Sequence, residues 1–147
     1  MQTENSATWE SALKPFGPLA SPISVGQLTV GDGSLALMAG PCSIESESLC
    51  LTVGEHLAAL CQDRRLPYIF KSSFDKANRT SGTSFRGHGV DLGSSVLRKG
   101  KEQLGVAVVT DVHESDQVRA VAEVADVIQI PAFLCRQTDL LVASGKS

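Results

Sequence analysis

Lys71 and Lys76 stand five residues apart in KSSFDKANRTS (71–81), directly after the apolar run Tyr68-Ile69-Phe70. Asp75 lies between them, and Asn78, Arg79, Thr80 and Ser81 follow. Two ammonium groups and a guanidinium in one short stretch suit a phosphate or carboxylate ligand. The amide and hydroxyls beside them suit the hydroxyls of a sugar. Three other stretches have the same character: Gly40-Pro41-Cys42-Ser43, Thr110-Asp111-Val112-His113-Glu114, and Gln129 through Arg136. Asp111 and His113 could move protons. Cys42 could be a soft metal ligand if histidines or carboxylates join it. Arg136 adds a further cation.

What must hold these residues is an alternation of strands and helices. Leu35 to Ala39 is an uninterrupted apolar run, as expected of a strand buried on both faces. Leu49, Val53, Leu57 and Leu60 make a helical stripe within residues 46–64. Tyr68–Lys71 is the second strand. Leu92 and Val96 mark a second helix that ends near Leu104 and is stopped by Gly105, and Val106–Val109 is the third strand. Ser115 is the expected N-cap of a third helix with the stripe Val118, Val121, Ala122 and Ala125. Val127–Ile130 is the fourth strand, stopped by Pro131, and Gln137 to Ala143 starts a fourth helix.

Ahead of the alternation, Ile23-Ser24-Val25 and Leu28-Thr29-Val30 flank Gly26-Gln27, a two-residue turn suited to a type II′ hairpin. Residues 1–20 are polar and broken by Pro15, Gly17 and Pro18, and are expected to be a flexible arm.

The order βαβαβαβα implies a parallel sheet with helical crossovers. Four units could close as a small doubly wound sheet. They could also be half of a (β/α)8 barrel, since a complete barrel takes roughly 250 residues. In either case ligands bind at the C-terminal ends of the strands, and all four polar stretches fall there. Singly, each residue has a plainer reading. A lysine after a strand is more often merely solvated, and a lone cysteine more often a small buried hydrophobe. Cys50, Cys61 and His56, inside the first helix, are read as structural or exposed. The glycines of RGHG (86–89) match no complete phosphate loop. Four strand ends together point to a phosphorylated, polar small molecule.

Bulk properties limit the alternatives. The 147 residues fit one domain. A net charge of −3 argues against a nucleic-acid or membrane-surface binder, both of which need a basic face. No run of 18 apolar residues occurs, so no membrane span is expected. The opening MQTENSATWESALKPFG has neither the basic nor the apolar region of a signal peptide. With four cysteines in no C-x-x-C pair, reduced thiols and a cytoplasmic location are expected.

AGPCSIES (39–46), KSSFDKANRTS (71–81), SFRGHG (84–89), TDVHE (110–114) and IQIPAFLCRQTDLL (128–141) closely resemble the 3-deoxy-D-manno-octulosonate 8-phosphate synthases, from about residue 23 onward. The resemblance implies a TIM-barrel (β/α)8 transferase, usually a homotetramer. Residues 21–147 would be the N-terminal half of that barrel, about its first four βα units preceded by the hairpin. It implies condensation of phosphoenolpyruvate with D-arabinose 5-phosphate and water, in making a precursor of the lipopolysaccharide inner core. Lys71 and Lys76 would hold the carboxylate and phosphate of phosphoenolpyruvate, helped by Gln129 and the backbone at Ala132. Asn78, Arg79 and Thr80 would bind arabinose 5-phosphate; relatives usually carry Ser at the Thr80 position. Arg136 would reach the sugar phosphate of a neighbouring subunit, and Asp111, with His113 nearby, would sit at the reacting centre.

Metal-independent members carry Asn where this chain has Cys42, so the resemblance is to the metal-dependent class, which uses a divalent ion such as Fe, Mn or Zn. The family's other metal ligands, a His, a Glu and an Asp, fall in the second half of the barrel and are absent from these residues. Gly82-Thr83 stands where relatives often carry Ile-His. The sibling synthase that takes erythrose 4-phosphate and makes 3-deoxy-D-arabino-heptulosonate 7-phosphate shares AGPCS. Its second strand usually ends in Lys-Pro-Arg-Thr-Ser, which FDKANRTS does not match. A non-catalytic half-barrel is the alternative of another class, and its unpaired sheet edges would favour self-association.

Overall fold

A computed structural model describes residues 21–147; the flexible arm expected over 1–20 lies outside the described residues. The first element is a two-stranded antiparallel hairpin, β1 (Ile23–Val25) with β2 (Leu28–Val30). Its turn needs a positive φ, and Gly26 supplies it at +58°.

Four parallel strands follow: β3 (Leu37–Ala39), β4 (Tyr68–Lys71), β5 (Ala107–Asp111) and β6 (Val127–Gln129). They lie side by side in chain order. Parallel neighbours need long connections, and three helices provide them: α1 (Glu47–Asp63), α2 (Val90–Leu104) and α3 (Gln117–Ala122). A 3-10 turn at Ala132–Leu134 and α4 (Thr138–Gly145) complete the order. Ser46 caps α1, its hydroxyl accepting from the Leu49 N–H at 3.2 Å. Gly105 ends α2 in the left-handed region, as expected of a glycine there. No helix among the described residues is long and apolar enough to cross a membrane.

The sheet has two unlike faces. On one, Phe70, Val108 and Val112 pack with Cys50 and Cys61 of α1, Val96 and Leu97 of α2, and Val118 and Val121 of α3. On the other, Ile69, Ala107 and Val109 pack with Val25, Leu28 and Val30 of the hairpin. Side chains alternate along a strand, so Lys71 shares the second face with Ile69, and Asp111 shares it with Val109. The hairpin covers the apolar beginning of this face. The charged ends emerge beyond it.

Several expectations are corrected. The first strand begins at Leu37, not Leu35, and it is not buried on both faces: Leu35 is 43% and Met38 49% exposed. The reason is that β3 is an edge strand, paired only with β4. Leu92 does not join the core; it is 50% exposed, and Gly93, Val96, Leu97 and Gly100 are the residues of α2 that turn inward. Ser115 does not cap the third helix, which starts at Gln117. Asp116 holds the N-cap position without a side-chain hydrogen bond, and the Gln117 Oε1 turns back to accept from the N–H groups of His113 (2.9 Å) and Glu114 (3.2 Å), ahead of the helix. Ala125 falls beyond the end of that helix, and the fourth strand stops at Gln129. The third strand extends to Asp111, which places that carboxylate on the sheet itself.

Two glycines of α2 predict opposite responses. A Cβ at Gly93 would run into the Phe74 Cβ, whereas one at Gly100 would meet the Phe70 ring at an ordinary 3.7 Å. Gly93→Ala is expected to lower stability by about 2 kcal/mol, the usual cost of overpacking. Gly100→Ala is expected to raise it by about 0.5 kcal/mol through helix propensity. Denaturant unfolding of the two variants checks the pair of signs.

Candidate active site

At the C-terminal ends of β4 and β5, five side chains converge. The ammonium groups of Lys71 and Lys76 both donate to the hydroxyl oxygen of Ser73, at 3.0 and 2.6 Å. Ser73 is fully buried and is itself held by the chain, pairing with Ser43 in a parallel bridge. One oxygen with two lone pairs thus brings two cations together at a strand end. Lys71 Nζ lies 3.8 Å from Asp111 Oδ1, an ion pair without a hydrogen bond. Asp111 Oδ2 lies 3.4 Å from His113 Nε2. Asp111 and His113 are both buried.

Burial works to raise the Asp111 pKa. The polar approach of His113 and Ser73 and the charges of Lys71 and Lys76 outweigh it, and bring the group down to about 2. Burial likewise lowers the Lys71 pKa, and the charge of Asp111 opposes that effect. An ionised carboxylate only accepts, so the proton between Asp111 and a neutral His113 belongs to Nε2. The lone pair then falls on Nδ1, which has no hydrogen-bond partner among the described residues. The His113 ring is fixed by Phe74, edge-on at 6.1 Å between centroids, and by Phe133, stacked at 6.4 Å.

The Asp111 carboxylate carries a pH prediction. A group whose pKa is depressed on folding stabilises the fold above its unfolded pKa, and that contribution is lost as pH falls through the folded value. The chain should therefore lose about 2 kcal/mol between pH ~4 and ~2 that Asp111→Asn does not lose. Urea unfolding of both proteins across that range measures the difference.

The other expected site residues surround this cluster without bonding to it. Gln129 is the register partner of Asp111 across β5 and β6, so it shares the same face, and it is exposed. Ala132, in the 3-10 turn, and Arg136 are exposed. Asn78, Arg79 and Thr80 lie on the exposed loop after β4. Arg79 is tethered there, its Nε donating to the Phe85 carbonyl at 3.3 Å. Cys42 is exposed just beyond the end of β3. Among the described residues, no group of three or more His, Cys, Asp or Glu is gathered to hold a metal ion. Cys50 and Cys61 are buried and His56 is exposed, consistent with their plain reading.

Two participants were not singled out in the sequence. Ser73 lies two residues beyond Lys71, and that spacing along a strand was the available signal. Arg86, in SFRGHG, forks onto Asp75, with Nε to Oδ1 at 2.9 Å and Nη2 to Oδ2 at 2.5 Å. Burial would raise the Asp75 pKa, and this pairing carries it below the usual carboxylate range. His88 contacts the Glu45 carbonyl through Nε2 at 3.0 Å.

A cavity of about 490 Å3 lies elsewhere, between the hairpin turn and the Leu66–Tyr68 and Leu104–Ala107 segments that begin β4 and β5. Its charges are already paired: Lys101 Nζ donates to Asp126 at 2.8 Å, and Asp126 also accepts from the Val108 N–H. The unspent cations and the buried carboxylate are at the opposite end, and the candidate site is assigned there on their chemistry.

Comparison with known proteins follows the same line. A family model described as the DAHP synthetase I family matches residues 12–147. The chain is similar to the 2-dehydro-3-deoxyphosphooctonate aldolase of a Cyanothece species, with 57% identity over 80% of this chain and 44% of the relative. It is 54% identical to the protein of that name from Geotalea daltonii, over 88% of this chain and 48% of the relative. With the one from Acidithiobacillus ferrooxidans it shares 61% identity, over 75% of this chain and 40% of the relative. The chain spans about half the length of the curated relatives it matches, or somewhat less. On the extent of the family match, this chain belongs to the DAHP synthetase I family.

Proposed function

We propose that this chain carries the phosphoenolpyruvate end of a 3-deoxy-D-manno-octulosonate 8-phosphate synthase. The observation that carries the reading is the pair of ammonium groups gathered on Ser73 beside the buried Asp111. A small dianion with a carboxylate and a phosphate matches two cations at one strand end. The name of the relatives supports the acceptor sugar. A three-carbon enol joined to a five-carbon sugar phosphate gives an eight-carbon octonate, whereas erythrose 4-phosphate would give a seven-carbon product.

In the proposed reaction, C3 of phosphoenolpyruvate bonds to the aldehyde carbon of arabinose 5-phosphate, whose oxygen takes a proton. Water adds at C2, and the C2–O bond breaks to release phosphate. Lys71 and Lys76 fix the first substrate, with Gln129 and the Ala132 backbone beside it. Asn78, Arg79 and Thr80 hold the second, and Arg136 reaches the sugar phosphate bound by a neighbouring subunit of a homo-oligomer. Holding both anions places C3 against the aldehyde, a gain of proximity and orientation. The cations also offset repulsion between two phosphorylated reactants. His113, with its Nε2–H on Asp111, leaves Nδ1 to take the proton that the adding water gives up.

The four βα units are read as the first half of an eight-stranded barrel. Their parallel order and the half-length match to relatives support this. Cys42 is proposed as one donor to a divalent ion of the Fe, Mn or Zn class. One exposed thiol does not make a metal site by itself; once completed by other donors, the ion would act as a Lewis acid.

Phosphate release from phosphoenolpyruvate, measured on the protein that carries these 147 residues, tests the reading. It should require arabinose 5-phosphate and stop on chelation. Release with erythrose 4-phosphate in its place would overturn it.

A further inference from the structure

The segment 85–89 is bonded to Phe74 and Asp75, just before Lys76, and to Arg79 after it, without contributing a ligand of its own. Its Phe85 carbonyl holds the Arg79 Nε at 3.3 Å. Its Arg86 guanidinium forks onto Asp75, the residue immediately before Lys76. Gly87, at φ +129°, lies so close to the Phe74 carbonyl that no other side chain fits, and the Gly89 N–H donates to that same carbonyl at 3.3 Å. His88 reaches across to the Glu45 carbonyl, beyond the end of the first strand, at 3.0 Å. The bidentate fork is the strongest of these contacts, because both oxygens of one carboxylate are engaged in fixed geometry.

We infer that Arg86 is a positioning residue: by gripping Asp75 it fixes where Lys76 stands, and through its neighbour Phe85 it fixes Arg79, so that one clamp sets the distance between the two anion-binding cations. The inference rests on the reading that Lys76 and Arg79 bind different substrates. A lysine at position 86 would keep the charge and lose the fork. Its effect separates geometry from electrostatics.

The experiment measures acylation of individual lysines by mass spectrometry, with and without phosphoenolpyruvate, in the unsubstituted chain and in Arg86→Ala and Arg86→Lys. Lys76 should react about fivefold faster in Arg86→Ala, as expected when a charge-assisted contact is lost. Lys71, held by β4 and Asp111, should react at its former rate, and Arg86→Lys should fall between. Equal Lys76 rates in all three proteins would overturn the inference. So would a uniform acceleration at every lysine, which would mark Arg86 as merely structural. If Arg86→Ala does not fold, Asp75→Asn is read in the same way, since it loses the charge while keeping the size. Failure of the underlying reading appears separately, as an absence of protection by phosphoenolpyruvate in the unsubstituted chain.

Discussion

Lys71→Met is expected to weaken phosphoenolpyruvate binding about 100-fold, and to destabilise the folded chain as well. The two effects have different origins. Binding fails because one of two converging cations is gone, and a charge-assisted contact to an anion in a partly buried site is worth a few kcal/mol. Stability falls because Asp111, 6% exposed, then keeps a buried charge without its nearest cation. The double variant Lys71→Met/Asp111→Asn should therefore recover most of the lost stability and none of the binding. Lys76→Met should lose binding to a similar extent with little change in stability, because Lys76 makes no ion pair with Asp111. Calorimetric titration and thermal melting of the three variants separate the two effects.

The largest effect on stability is expected at Phe70. Its ring is less than 2% exposed and is met by three glycines: Gly40 after β3, Gly54 of α1 and Gly100 of α2. The glycines let two helices and a neighbouring strand close on one aromatic ring. Truncation leaves a cavity that those backbones fill poorly. Phe70→Ala should cost about 4 kcal/mol, a large share of the roughly 5–15 kcal/mol that a domain has. In a chain of this size that is a fall in Tm of about 10 °C. Phe70→Leu should cost less than half as much. Because Lys71 follows Phe70 on the same strand, loosening here also displaces the candidate site. Thermal unfolding, with and without phosphoenolpyruvate, checks both statements.

The positions of the charged residues were legible in the sequence because two simple rules converged. Strand and helix periods gave a parallel sheet, and parallel sheets present their ligands at strand C-termini. Lys71 and Asp111 are where those rules put them. Details that depend on neighbours were not legible. The run Leu35 to Ala39 reads the same whether its strand is central or at an edge, and only the sheet order reveals that Met38 is exposed. Leu92 fits a helical stripe as well as Val96 does, but the inward face of α2 is centred on Gly93 and Gly100. A stripe drawn from large apolar residues misses it. Ser115 was a good cap by residue type, yet the helix starts at Gln117 with Asp116 at its N-cap, and no side chain accepts from its first N–H groups. Ser73 was marked only by its spacing from Lys71, which acquires meaning when both lysine side chains fold back onto it. The Asp75–Arg86 fork spans eleven residues of loop, and periodicity does not reach across a loop.

The most direct test of the central claim, that Lys71 and Lys76 jointly receive one phosphorylated carboxylate, is nitrogen NMR of the lysine ammonium groups during a phosphoenolpyruvate titration. The account predicts that the Lys71 and Lys76 signals move together and saturate at one ligand concentration, while Lys99, Lys101 and Lys146 stay in place. Saturable binding that leaves Lys71 and Lys76 unmoved, or a titration that moves all lysines alike without saturating, would contradict it.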